Sequence, residues 1–447
     1  HVPKTTLILS DTVLIKCVTQ QRFLSNDPGD RPGSGTENGS DSATAKWRQA
    51  MSETEMRLPL DGIRVLELGH TVMGPTCGLV LADLGAQVYK VERTGTGDDT
   101  RRLKGFGAGF FTHFNRNKKS IAIDLKSDRG RVLFFKLVAH TDVVIENFGP
   151  GTMERLGIGY EACRKANPQL IYCALKGFMP GPYEQRPALD EVVQMMGGLA
   201  YMTGPSGRPL RAGASVTDIL GGSFGAIGIL AALQQRQLTG SGCLVQASLF
   251  ESVAFMVGQH MAVAAITGQP PPPMAERGRA WAIYDLFETA DGKQVFVGVT
   301  SDRHWKRFCQ VFGFEDWAGD ERLSSNQRRI EARQWFLPEL RERLQRMTQA
   351  ALMHTAQAAG IPFAPVARPQ DLFEDPHLTA SDGLAETRLP DGRTGKLPRL
   401  PLRLNGRALP LRRHPPSIGN GTRELLRTIG LDDVEIESLL SDQIVQA

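Results

Sequence analysis

The sequence predicts an α/β protein: a parallel sheet wrapped by helices, followed by a second, smaller α+β unit. Strand-like and helix-like segments alternate from Leu58 to about Leu175, which is the pattern of a parallel sheet with helical crossovers. Four successive prolines, Pro270 to Pro273, then break regular structure and mark a boundary. After the break the order changes to a hairpin followed by helices.

Ile63 to Leu68 reads as the first strand, and the Gly74-Pro75 loop leads into a helix over Cys77 to Leu84, stopped by Gly85. Gln87 to Glu92 is a strand, Ser120 to Leu125 another, Gly130 to Ala139 a helix, and Thr141 to Ile145 and Leu170 to Leu175 two further strands. A Gly/Pro-rich loop from Gly177 to Pro187 precedes helical segments running to Gln235. Beyond the prolines, Ile283 to Thr289 and Val295 to Val299 flank an Ala290-Asp291-Gly292 turn and predict a hairpin. Helices are expected at His304 to Val311, Arg329 to Met347 and Ala350 to Gly360, then short strands and proline turns over 361–405, then a polar helix pair from Thr422 to Leu440.

With 447 residues, 41% hydrophobic and 22% charged, the chain has the composition of a globular protein with room for two domains. A net charge of +4, spread evenly, does not make a nucleic-acid surface. The six cysteines show no CxxC pair and no Cys/His metal spacing, so no metal site is expected and a reducing, cytoplasmic location is. No uninterrupted apolar run of membrane-spanning length follows the opening stretch, so no membrane partner is expected; Ile219 to Leu233 reads as a buried helix. Residues 1–56 begin with His1, end in a Ser/Gly/Asp-rich tail, and are set aside as an extension outside the folded protein.

Asp218 stands at the start of a long apolar, glycine-rich helix, an N-cap position where a carboxylate accepts free backbone N–H groups. A carboxylate is also ionised at neutral pH and can attack a thioester without a separate base. Gly221 and Gly222 would then let a ligand approach the backbone. Arg93 lies at the carboxyl end of its strand, where open parallel sheets bind ligands, but Gly95-Thr96-Gly97 lacks the rest of a dinucleotide fingerprint. Arg101, Arg102, Arg116, Lys118, Lys119 and Lys126 form a basic stretch that either faces phosphates or is solvated. There is no Gly-x-Ser-x-Gly elbow.

The stretches Leu58 to Leu68, Gly74-Pro75, Asp83 to Arg93, Gly97 to Arg101, Asn115 to Lys126, Val144 to Gly151, Thr239 to Gly242, Ile361 to Val366 and Asp375 to Leu378 together resemble the class III CoA-transferase family (CaiB/BaiF). The resemblance implies that Asp218 is the catalytic carboxylate, forming an acyl anhydride and then an aspartyl-CoA thioester. It implies that Val72, Arg93, Ile123, Lys126, Asn147, Phe148 and Arg155 line a CoA pocket, with CoA or acyl-CoA as substrate and no resident cofactor. It also implies a Rossmann-like large domain over 57–267, a linker over 268–280, a small domain over 281–400, a C-terminal segment 401–447 returning to the large domain, and an interlocked homodimer.

Val72 stands where formyl-CoA transferases carry glutamine, and Leu103 where they carry an active-site tryptophan, so formate is not the expected acid. Their glycine-rich mobile loop is replaced here by residues Glu276 to Trp281. Arg277 and Arg279 in that segment could pair with the distal carboxylate of a dicarboxylic acid, with succinyl-CoA as donor. Asp190 is expected to be structural or pocket-lining. Two alternatives remain at this point: an α-methylacyl-CoA racemase, which resembles this chain but needs a histidine where Leu189 stands, and a CoA-binding protein without turnover.

Overall fold

The computed structural model describes residues 57–276 and 280–447. The extension 1–56, and Arg277 and Arg279, lie outside the described residues.

The first half alternates as its apolar spacing predicts. Strand β1 (Arg64–Leu68) is followed by helix α1 (Met73–Asp83), β2 (Gln87–Glu92), α2 (Phe110–Phe114), β3 (Lys119–Ile123), α3 (Asp128–Val138), β4 (Val143–Glu146), α4 (Thr152–Arg155), α5 (Tyr160–Ala166) and β5 (Ile171–Lys176). Then come α6 (Asp190–Met196), α7 (Leu199–Thr203), α8 (Val216–Thr239), β6 (Leu244–Ser248) and α9 (Leu249–Thr267). The last two elements carry no clear sequence signal. In β6 the segment Leu-Val-Gln-Ala-Ser is too short and mixed to show a period, and α9 is apolar on all sides, which blurs the helical one.

The second half opens on the expected hairpin, β7 (Ile283–Glu288) antiparallel to β8 (Gln294–Val299), with β9 (Phe363–Pro365) on the other side of β8. Helices α10 (Asp302–Phe312), α11 (Asn326–Glu331), α12 (Arg333–Gln345) and α13 (Gln349–Ala359) pack on it. The single helix expected over Arg329 to Met347 is two, broken at Ala332. Two small antiparallel pairs follow, β10 (Leu384–Arg388) with β11 (Thr394–Pro398), and β12 (Arg403–Leu404) with β13 (Arg407–Ala408). The chain closes with α14 (Thr422–Thr428), α15 (Asp433–Ser441) and β14 (Val445–Gln446).

The large sheet has the order β14-β3-β2-β1-β4-β5-β6. All its pairings are parallel except β14, which runs antiparallel to β3 and ties the end of the chain to the sheet edge. The order of the six parallel strands is that of a doubly wound nucleotide-binding fold, whose ligand crevice opens where the strand order reverses, outside the carboxyl ends of β1 and β4. One core surrounds this sheet and includes Leu425, Leu426, Ile436 and Leu439 from the last two helices. A separate core, built on Trp305, Phe308, Trp317 and Phe336, holds the second half together.

Helices α1 and α8 cross in close contact because α8 carries glycine where they meet. A Cβ at Gly222 would stand 2.4 Å from the Met73 carbonyl oxygen, and one at Gly221 would stand 2.6 Å from Met73 Cε. Both glycines therefore serve helix packing, not the ligand approach expected from the sequence. Since the obstruction at Gly222 is backbone, Gly222→Ala is expected to destabilise the protein by about 1–3 kcal/mol, read by thermal unfolding.

Helices α8 and α9 are each long and apolar enough to cross a bilayer by length and composition. In α8 that character is used against α1, β5 and β6. Much of α9 instead faces outward, with Phe255, Met261 and Ile266 exposed.

Candidate active site

The loop joining β1 to α1, residues 69–72, sits at the crevice and is fixed from below by buried charges. Glu67 points from β1 into the protein, where it meets Lys90 Nζ at 3.3 Å and Lys118 Nζ at 2.6 Å; all three side chains are fully buried. Lys90 also pairs with Asp98 at 2.8 Å. Burial works against the Asp98 charge, but the Lys90 ammonium and the hydrogen bonds from Thr100 hold its carboxyl down at about 2. For Lys118 burial prevails over the attraction of Glu67, and its ammonium is brought down to about 8.

The two lysines donate on either side of the loop, Lys90 to the Gly69 carbonyl at 2.6 Å and Lys118 to the Pro75 carbonyl in the first turn of α1 at 2.9 Å. Just after β4, Asn147 clamps the middle: its Oδ1 accepts from His70 N at 2.9 Å and its Nδ2 donates to His70 O at 3.0 Å. Held this way, Thr71 takes a φ of 64°, an uncommon conformation for a β-branched residue and one that accompanies functional loops. Phe148 stacks on the His70 ring at 5.5 Å.

Asp218 lies in the first turn of α8, one turn before Gly222 and therefore on the side of α8 that meets the start of α1. It is the third residue of the helix and not its N-cap, as the sequence suggested; Ser215 holds the cap position without a side-chain bond. The capping carboxylate comes from another helix. Asp190, at the head of α6, accepts from Thr217 N at 2.9 Å, Thr217 Oγ1 at 2.6 Å and Asp218 N at 3.3 Å through one oxygen, and from Gln194 Nε2 at 2.5 Å through the other. Arg211 braces the same carboxylate at 3.4 Å and Glu191 at 2.6 Å.

With the helix end already capped, the Asp218 carboxylate has no hydrogen-bonding partner among the described residues. Burial, and then the nearby Asp190 charge, push its carboxyl up to about 7 against the opposing pull of Arg211. A carboxylate with unused oxygens and a raised basicity is a competent nucleophile. Asp190→Asn removes the neighbouring charge, so the Asp218 carboxyl should ionise at lower pH; the pH profile of activity is expected to move its acid limb downward. Asp190→Ala also removes the cap and should cost about 1–2 kcal/mol in denaturant unfolding.

Of the other residues singled out from the sequence, Val72, Asn147 and Phe148 gather around the crevice at the ends of β1 and β4. Val72 is itself fully buried against Leu79 and Phe114. Arg93 follows β2 with its guanidinium on Asp99 at 2.7 Å, and Arg155 ends α4, bonded to Thr152 Oγ1 at 2.9 Å. Ile123 is buried opposite Val445 at the β3–β14 pairing, and Lys126 follows that strand. The row thus runs along the carboxyl edge of β1 to β4.

The basic stretch is neither a phosphate surface nor a solvated one as a whole. Lys118 pairs with Glu67, Arg116 with Asp83 at 2.7 Å, Arg101 with Glu92 at 2.6 Å, and Lys119 with Glu424. The sequence did not single out the Glu67, Lys90 and Asp98 network; its only signal was a charged residue inside each of two otherwise apolar strands. Among the described residues no group of His, Cys, Asp and Glu is placed to hold a metal ion.

A doubly wound sheet with a crevice at its reversal point and an unpartnered, basic carboxylate beside it has the features of an enzyme active site. Residues 60–422 match the family described as CoA-transferase family III, and the chain belongs to that family; it is a family III CoA-transferase. Among its relatives is the succinyl-CoA:glutarate CoA-transferase of Mus musculus, 30% identical over 93% of this chain and 96% of that one. The succinyl-CoA–D-citramalate CoA-transferase of Chloroflexus aurantiacus is 32% identical over 88% of this chain and 100% of that one. A crystal structure of a CaiB/BaiF family protein from Brucella suis superposes with a TM-score of 0.76 at 32% identity, covering 84% of this chain and all of that one.

Proposed function

We propose that the protein moves CoA from an acyl-CoA, with succinyl-CoA the leading donor, to a small dicarboxylic acid through covalent intermediates on Asp218. The observation that carries this reading is the Asp218 carboxylate: exempt from capping, unpartnered among the described residues, and held beside the crevice. One carboxylate oxygen attacks the thioester carbonyl carbon and the C–S bond breaks, giving an acyl anhydride and CoA thiolate. The thiolate attacks the aspartyl carbonyl and releases the donor acid, leaving an aspartyl-CoA thioester. The acceptor carboxylate attacks the aspartyl carbonyl, the C–S bond breaks and CoA thiolate is released, giving a second anhydride; the thiolate then attacks the acceptor's acyl carbon, the acyl–O bond to Asp218 breaks, and the new acyl-CoA leaves. The thioester's free energy is conserved and the aspartate is regenerated.

CoA is proposed to lie along the carboxyl edge of β1 to β4, with Arg93 and Arg155 toward its phosphates and Asn147 and Phe148 beside Val72 at the crevice. Two relatives whose names carry succinyl-CoA and a dicarboxylic acid support the substrate class. The racemase alternative gains no support, since Leu189 stands exposed before Asp190 and Asp190 is occupied as a cap. An interlocked homodimer is the proposed assembly; the outward apolar face of α9 gives a second copy a surface to cover. The cysteines among the described residues are free thiols, which suits the proposed cytoplasmic location.

Incubation with succinyl-CoA and a panel of carboxylic acids tests the function: new acyl-CoA species should form with dicarboxylates and not with formate. Proton exchange at the α-carbon without CoA transfer would replace this reading with the racemase. Because Asp218 must be ionised to attack, kcat/KM should rise with pH through about 7 and level off above it.

A further inference from the structure

We infer that Phe106, carried on the glycine-flanked loop 103–109, decides between transfer and hydrolysis by keeping water from the Asp218 intermediates; this rests on the function proposed above. An aspartyl thioester is open to a competing reaction in which water adds to its carbonyl carbon, the C–S bond breaks, CoA leaves as the thiol and Asp218 is regenerated as the free acid. A transferase must keep that reaction slow, and closing apolar surface over the intermediate is the general means.

Loop 103–109 has the features such a cover requires. Phe106 is 72% exposed, an unusual placement for a large apolar ring, and Leu103 beside it is 43% exposed. Gly105, with a φ of 58°, and Gly109 have nothing within 4 Å of where a Cβ would be, so the backbone on either side of the ring faces open space. Gly107 in the middle is held close to Leu103, where a Cβ would meet Leu103 Cδ1 at 2.9 Å, so the loop folds back on its own leucine next to the ring.

The ring lies beside the groups that frame the nucleophile. Its edge meets Phe110 at 5.1 Å, and the Arg211 guanidinium lies 5.8 Å from its centroid. Arg211 in turn pairs with Asp190, which holds the Thr217 and Asp218 amides. Phe106 therefore stands one guanidinium away from the carboxylate that frames the nucleophile, with its free face available to cover a bound acyl group.

The test is the ratio of acyl transfer to CoA-thioester hydrolysis, measured with succinyl-CoA and an accepted dicarboxylate for the wild type, Phe106→Ala and Phe106→Leu. The exposed position predicts unchanged folding and CoA affinity within about twofold for both variants. Phe106→Ala should raise hydrolysis relative to transfer by about tenfold, and Phe106→Leu, which keeps apolar bulk, should restore most of the wild-type ratio. An unchanged ratio in Phe106→Ala while the wild type transfers CoA would overturn the inference alone. Absence of transfer by the wild type with every acid would instead remove the function on which it rests.

Discussion

Asp218→Ala is expected to lower CoA transfer by about 10⁴-fold or more while leaving CoA affinity within a few fold, because it removes the atom that forms the covalent bond and nothing the nucleotide would touch. The same position should show a stability gain. Its carboxyl is raised to about 7 in the folded chain against about 4 in an unfolded one. Between those values the folded state holds the proton more tightly, so stability falls as pH rises through that window, and the penalty is complete above it. Asp218→Asn, which cannot ionise, should therefore unfold at higher temperature than the wild type at pH 8 and show little difference at pH 4. The gain should be on the order of 1–3 kcal/mol, reduced by the partial exposure of the carboxylate. A variant that is inactive and also less stable at pH 8 would mean that Asp218 is a structural residue.

The second large effect is expected at Glu67. Glu67→Leu leaves Lys90 and Lys118 buried with Asp98 as the remaining carboxylate beside Lys90, and breaking a buried ion pair in this way costs about 3–5 kcal/mol. Both lysines also hold the backbone on either side of the 69–72 loop, at Gly69 and at Pro75 in α1, so transfer should fall more steeply than stability alone explains. Urea unfolding at pH 7 and kcat measured on the folded fraction separate the two. A Glu67→Leu protein with wild-type stability and kcat would show that the network neither holds the fold nor positions the loop.

Much of this architecture is legible in the sequence, for physical reasons that also mark where legibility ends. The strand Gln87 to Glu92 is readable to the residue because its apolar residues Val88, Tyr89 and Val91 fall on both faces and it is bounded by Gly85 and the Gly95 loop. The strand Leu244 to Ser248 is not, because its neighbours and not its own pattern place it at the sheet edge. At the site, the spacing identifies Asp218 as an acid at the mouth of a helix, but an acid near a helix start looks the same whether it caps or not. What frees it is Asp190, 28 residues earlier in the chain, and such a bond in trans leaves no local signature. Gly222 likewise reads as room for a ligand until the Met73 carbonyl is seen against it.

The covalent step can be observed directly. The protein is incubated with succinyl-CoA without acceptor, quenched with hydroxylamine, digested, and its peptides are weighed by mass spectrometry. The expected result is a hydroxamate on the peptide containing Asp218, absent from Asp218→Ala and dependent on the acyl-CoA. Turnover that proceeds at the wild-type rate with Asp218 unmodified, or with the adduct on another side chain, would contradict it.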